Sequence, residues 1–282
     1  MRFRPALIVS LAIAALALLG TAGTVLAFPV VGAATCPLCY GLDRFGDDRF
    51  IERTASPQLR GHVGDVVGQA RNRVAAFYGS ADTQPRVLVC VSDDCYRRIG
   101  GIGSRGTAWF DVALQLSPRG IDPVIAAHEL SHMELRHRLG RLRFLMGAIP
   151  AWFDEGVAVV VSDDRRYLAP ANAPERCLVR SDEELPTGRF DWIREVGRFD
   201  TKQLYAKAAC RVAEWMAAKG GAAAVTRLVG QVSSGTPFAE AYAATIGVRV
   251  TPMRTSRPGK SRDPLVSGSS FGSVGPGLRR DA

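Results

Sequence analysis

The chain of 282 residues is long enough to bury a substantial core, and with 47% hydrophobic and 22% charged residues it has the composition of a globular protein, not a disordered one. The formal charge of +9 would suggest nucleic-acid binding, but most of it sits at the two ends. Arg2 and Arg4 supply +2 and the segment from Arg249 onward +5, so the body between them carries only +2, too little for a basic groove, and no nucleic-acid partner is expected.

Arg2 and Arg4 precede an uncharged stretch from Pro5 to Tyr40 whose first part, Ala6 to Leu19, is almost wholly apolar. A short basic region before an apolar run is the pattern of an export signal. The run is also long enough to span a bilayer as an uncleaved anchor. Val25-Leu-Ala27 and Val31-Gly-Ala-Ala34 both offer small residues to a signal peptidase. In either case the basic N-terminal side places the remainder across the membrane, periplasmic or secreted, with membrane association through the N-terminal segment if it is retained. Residues 1–34 are read as this signal peptide or membrane anchor.

Six cysteines, Cys36, Cys39, Cys90, Cys95, Cys177 and Cys210, fit an oxidising compartment. The spacing Cys90 to Cys95 suits a bridge across a strand-to-helix turn, which leaves Cys177 to pair with Cys210 and Cys36 with Cys39, although spacing alone does not establish connectivity. Cys36-Pro-Leu-Cys39 also has the spacing of a redox-active dithiol. Such a motif belongs between a strand and a helix, whereas this one abuts the export segment.

Ser56-Pro57 caps a helix to Tyr78, on which Leu59, Val63, Val66, Val67, Ala70, Val74 and Phe77 recur at helical spacing. Arg86 to Ser92 reads as a buried strand, Asp93 to Ile99 as one or two helical turns, and Gly106 to Ser117 as a second extended segment. Asp122-Pro123 caps a helix that stops near Gly140. Arg141 to Ile149 is a connector, and Pro150 opens a helix from Ala151 to about Val161. Residues 163–198 read as loop, followed by helices at about 201–219, 222–232 and 237–244. The Ser/Gly/Pro/Arg-rich residues 251–282 form a disordered basic tail that cannot bury enough apolar surface to fold. The result is one α+β domain over residues 35–250, helix-rich in its second half.

Chemistry concentrates in His128-Glu129-Leu-Ser-His132. On a helix, positions i and i+4 share a face, so both imidazoles reach one ion, and Glu129 lies beside it as a base without ligating. A catalytic zinc takes three protein ligands. His137 follows His132 by five residues, roughly 140° around the helix, and Glu134 lies on nearly the opposite face, so neither completes the set. Arg138 occupies the position where a third histidine would extend the motif in metzincins. The better candidate is Glu155, on a helix that begins after a connector long enough to turn back beside the first.

Pro150-Ala-Trp152-Phe-Asp-Glu155-Gly156-Val-Ala158 together with the histidine motif resembles the gluzincin zinc metallopeptidases, and most closely the peptidase MA-like families. His128, Glu129, His132, Trp152, Glu155, Gly156 and Ala158 match the pattern HExxH…W-x-x-E-G-x-A. The resemblance implies a zincin-like domain with a small mixed sheet, an active-site helix and a helical C-terminal half. It also implies one Zn²⁺ per protein molecule held by His128, His132 and Glu155, with Glu129 as general base towards a peptide or protein substrate. Related enzymes place an oxyanion-stabilising Tyr or His on a later helix, a role that falls to Tyr205; packing in the core is the other reading of that tyrosine. An edge strand before the metal helix would pair with substrate, and residues 106–116 are placed for that, although Trp109 reads equally well as a core anchor. Where family members carry an aspartate one turn past the third ligand, this protein has Val159, so the group orienting the histidines must be another: Asp154, Asp163 or Asp164. Two other classes remain open, a zinc-binding but non-proteolytic envelope protein and a structural or redox protein whose disulfides are the point.

Overall fold

Alternation along two short strands decides how the sheet is covered. In β3 (Arg86–Val89), Val87 and Val89 join one core cluster while Leu88 and the following Cys90 join another. In β5 (Ala113–Leu116), Leu114 and Leu116 join the first and Ala113 the second. Successive side groups of a strand point to opposite faces, so this sheet is buried on both sides. The computed structural model describes residues 28–198 and 201–244, with Ser10, Ile13, Gly20, Gly23, Val25 and Ala27 before them. The tail from residue 251 and most of the apolar segment lie outside the described residues. Among those described, no helix is long and apolar enough to cross a membrane.

With β1 (Leu42–Arg44), β2 (Arg49–Glu52) and β4 (Gly106–Trp109) the sheet has five strands in the order β1-β2-β3-β5-β4. Strands β2, β3 and β5 are parallel, and β1 and β4 run antiparallel at the two edges. The architecture is thus mixed α and β with a small mixed sheet. The segment 106–117, read from sequence as one extended stretch, is a hairpin: the backbone reverses at Phe110-Asp111-Val112, with Phe110 at φ 49° and the Val112 amide donating to the Trp109 carbonyl.

The face formed by Val87, Val89, Leu114 and Leu116 is covered by α2 (Pro57–Tyr78) and α4 (Pro123–Leu139). The opposite face is covered by α1 (Pro29–Thr35) and α3 (Asp93–Arg98), through Val30, Ala33, Ala34 and Tyr96. Residues 29–34, grouped with the export segment on sequence, therefore belong to the folded body. Cleavage after Ala27 would leave α1 in place, and cleavage after Ala34 would strip it from the sheet.

Helix α5 (Arg141–Leu145) occupies part of the expected connector, and α6 (Ala151–Ser162) is buried along nearly its whole length. It packs between α4 and α8 (Thr201–Lys219). Gly156 permits this approach: a Cβ there would lie 2.6 Å from the Ala208 carbonyl oxygen of α8, a backbone atom that cannot step aside. Helices α9 (Ala222–Ser234) and α10 (Phe238–Ala243) close the helical half, and α7 (Arg189–Arg198) lies within the span read as loop. All three cysteine pairs close as disulfides: Cys36–Cys39, Cys90–Cys95 and Cys177–Cys210.

Glu134, on the far side of α4 from the histidine motif, is fully buried and has a structural task. Its carboxylate accepts the Asp82 and Thr83 amides, the Thr83 hydroxyl and Arg138 Nε at 2.7–3.1 Å, pinning the 80–83 loop to the helix. Glu134→Ala would strand the buried Thr83 donors and unpair Arg138, and it is expected to lower unfolding free energy by about 3 kcal/mol in a denaturant titration without altering the histidine face of α4.

Candidate metal centre

The centre is set by two helices. Asp122 Oδ1 accepts the Val124 and Ile125 amides and Pro123 occupies the first turn, which fixes the start of α4. Six residues along, His128 and His132 present their Nε2 atoms 3.2 Å apart. From α6, Glu155 brings Oε2 to 3.4 Å from each of them. Donors 2.0–2.1 Å from a common tetrahedral centre would be separated by about 3.3 Å, so three sides of 3.2–3.4 Å fit a small divalent cation. Glu155 Oε2 is buried with no hydrogen-bond partner, which points the same way. The three residues anticipated as ligands are thus brought together.

The charge balance of this cluster follows from burial and contact. Burial alone would pull the His132 imidazole down, but the carboxylates of Asp154 and Glu155 outweigh it and raise its pKa to about 10. Burial pushes Glu155 up, yet the two imidazoles hold its carboxyl far below the usual carboxylate range. Asp154 is met by His132 and by Arg136, so the oxygen left to a cation is Glu155 Oε2.

Of the three aspartates considered for orienting the histidines, only Asp154 reaches one. His132 Nδ1 donates to Asp154 Oδ1 at 2.7 Å, which holds the tautomer that leaves Nε2 free to ligate. Asp163 pairs with Arg165 and Arg176, and Asp164 with Arg166. Asp154→Asn is expected to weaken metal affinity 10- to 100-fold, read by competition with a chromophoric chelator. An unchanged affinity would remove Asp154 from this role.

Comparison with protein-family models, curated proteins and solved structures returned no match. The site therefore stands on its own geometry.

Glu129, on α4, is half-buried against the start of edge strand β4, where a Cβ on Gly106 would come 2.8 Å from Glu129 Cγ and 3.3 Å from Oε1. Gly106 is thus what gives Glu129 its room. Its only sequence signal is a glycine opening an extended run. Tyr205, from α8, lies with its ring 6.2 Å from that of His128, stacked on Tyr167 at 5.1 Å and edge-on to Trp192 at 5.3 Å. Burial first, and then the negative charge of Glu155 and Glu129, raise its hydroxyl well above the ordinary value of 10. It therefore keeps its proton and remains a donor. His137 turns away from the centre to face Asp111, 3.6 Å away. Trp109 serves the opposite side of the sheet, donating to Gln115 and packing edge-on against Phe28.

Sequence reasoning missed Arg136 and Arg189. Arg136 Nη1 donates to the Ala108 carbonyl of β4 at 3.1 Å and Nη2 to Asp154 Oδ2 at 3.4 Å. Arg189 Nη2 lies 3.7 Å from the same oxygen. Burial, and next the charge of Arg136, lower the pKa of Arg189.

Proposed function

We propose that this protein is an extracytoplasmic zinc-dependent peptidase of gluzincin type, with its ion held by His128, His132 and Glu155. The observation that carries the reading is the donor triangle of 3.2–3.4 Å with its unpartnered Glu155 oxygen, beside a carboxylate left out of the triangle. Zinc bound there would supply Lewis acidity, polarising a substrate carbonyl and lowering the pKa of water.

The protein's own groups account for the rest of the hydrolysis. Glu129 accepts a proton from the attacking water and returns it to the leaving amine. Tyr205, protonated at all physiological pH, donates its hydroxyl hydrogen to the oxygen on which negative charge develops. Edge strand β4, which carries Gly106 against Glu129, offers backbone groups for an extended substrate to pair with. Asp154 keeps His132 oriented throughout. Three disulfides agree with a place outside the cytoplasm.

The test is cleavage of a diverse peptide library by the zinc-loaded full-length protein, read by mass spectrometry beside a Glu129→Gln control. Cleavage by the wild type alone supports the reading and reveals which residues are preferred around the scissile bond. No cleavage by either protein, with zinc confirmed bound, rejects general peptidase activity and favours a zinc-containing binding protein.

A further inference from the structure

Positions 128, 132 and 136 are spaced by four, so Arg136 continues the metal-binding face of α4 by one more turn. Its side chain is about nine-tenths buried, and its Nε has no hydrogen-bond partner among the described residues. Arg189, at the first position of α7, has a side chain 46% exposed, and its guanidinium makes no hydrogen bond among the described residues. Both guanidiniums lie against the Phe144 ring, 4.7 and 4.0 Å from its centroid, and both converge on one atom, Asp154 Oδ2. The other oxygen of that carboxylate is engaged by His132. Two permanent positive charges therefore share a single carboxylate, and neither has another ion pair among the described residues. The two guanidiniums outnumber the carboxylate they pair with, and the next carboxylate, Glu155, is engaged by the imidazoles. A like-charged pair at a partly buried position costs free energy until an anion arrives.

We propose that Arg136 and Arg189 form an anion-binding subsite one carboxylate away from the metal triangle, which takes a carboxylate group of the substrate. A guanidinium offers parallel N–H donors in a plane that matches a carboxylate, and the half-exposed Arg189 has its donors free to meet one. Arg136, fixed by Ala108 and Asp154, supplies charge from behind. That the carboxylate belongs to a substrate rests on the peptidase reading; the subsite itself does not. Two sources share this chemistry, an acidic residue within a peptide and the free α-carboxylate at its end.

The zinc-loaded full-length protein is titrated calorimetrically with three probes: N-acetyl-aspartic α-amide, N-acetyl-alanine and the neutral N-acetyl-asparagine amide. At least one carboxylate probe is expected to bind about 10-fold or more tightly than the neutral one, the ratio a charge-assisted contact provides. Preference for the aspartyl probe identifies an acidic residue as the source, and preference for N-acetyl-alanine a terminal α-carboxylate. Arg189→Gln, a half-exposed position whose loss leaves the three ligands in place, should bring the ratio close to one. Arg189→Lys should retain part of it. Equal binding of all three probes by the wild type, or a preference that Arg189→Gln leaves intact because the metal alone causes it, overturns the proposal. Preserved probe preference in a protein that cleaves no peptide would reject the peptidase reading while keeping the subsite.

Discussion

Glu129→Gln is expected to reduce peptide hydrolysis by about 10²- to 10⁴-fold, with zinc content and melting temperature held at wild-type values. Gln has the shape of Glu but cannot accept the proton of the attacking water. Because Glu129 is not one of the three converging donors, its loss leaves the ion's attachment intact. His128→Ala must behave differently, losing zinc and activity together. Gly106→Ala provides an independent check on the same carboxylate. The added methyl would meet Glu129 Cγ at 2.8 Å, Ile125 Cγ2 at 3.2 Å and Glu129 Oε1 at 3.3 Å, so the Glu129 side chain must shift. The expected result is a fall in kcat larger than the modest loss of stability that crowding Ile125 brings. A Glu129→Gln protein that still cleaves peptides at the wild-type rate would reject the general-base assignment outright.

How much of this was legible in the sequence depends on whether local chemistry or tertiary packing makes the decision. Helices α2 and α4 announce themselves through Ser56-Pro57 and Asp122-Pro123, where the capping oxygens are seen accepting the first amides. The ligand spacing on α4 is a property of the helix itself, so His128 and His132 were readable without any fold. Glu155 needed the backbone to turn back, and its place was inferred from a pattern shared with a family. Elsewhere the deciding partner is remote in sequence. Strands β1 and β2 have only three and four residues and carry Asp43, Arg44, Arg49 and Glu52, so no apolar alternation marks them. Helix α7 exposes Phe190 and Ile193 while burying Trp192, which blurs its periodicity, and Pro186 and Gly188 before it suggest a loop. Asp154 could not be separated from Asp163 and Asp164 because what selects it is a histidine twenty-two residues earlier. The arginine pair is more remote still, joining α4 to α7 across fifty-three positions and meeting only at Asp154 and Phe144.

Metal removal should show as a large loss of stability that one conservative substitution abolishes. If zinc binds the native state alone, saturation at a thousand times Kd stabilises by about 4 kcal/mol, and at 2–4 °C per kcal/mol for a body of this size a chelator should lower Tm by about 8–16 °C. Glu155→Gln isolates the origin of that change. In the metal-free protein the neighbouring imidazoles outweigh burial and hold Glu155 ionised, so the neutral amide gives up that attraction. Its metal-free Tm should therefore lie below that of the metal-free wild type, and the diagnostic quantity is the shift that zinc produces in each protein. With the anionic donor gone, zinc addition should raise Tm by only a small fraction of the wild-type shift, because two imidazoles on one helix turn hold the ion far more weakly than three donors drawn from two helices. The ion, on this account, ties α4 to α6. A wild-type Tm indifferent to both chelator and added zinc would show that the triangle binds no metal, and the peptidase reading would fall with it.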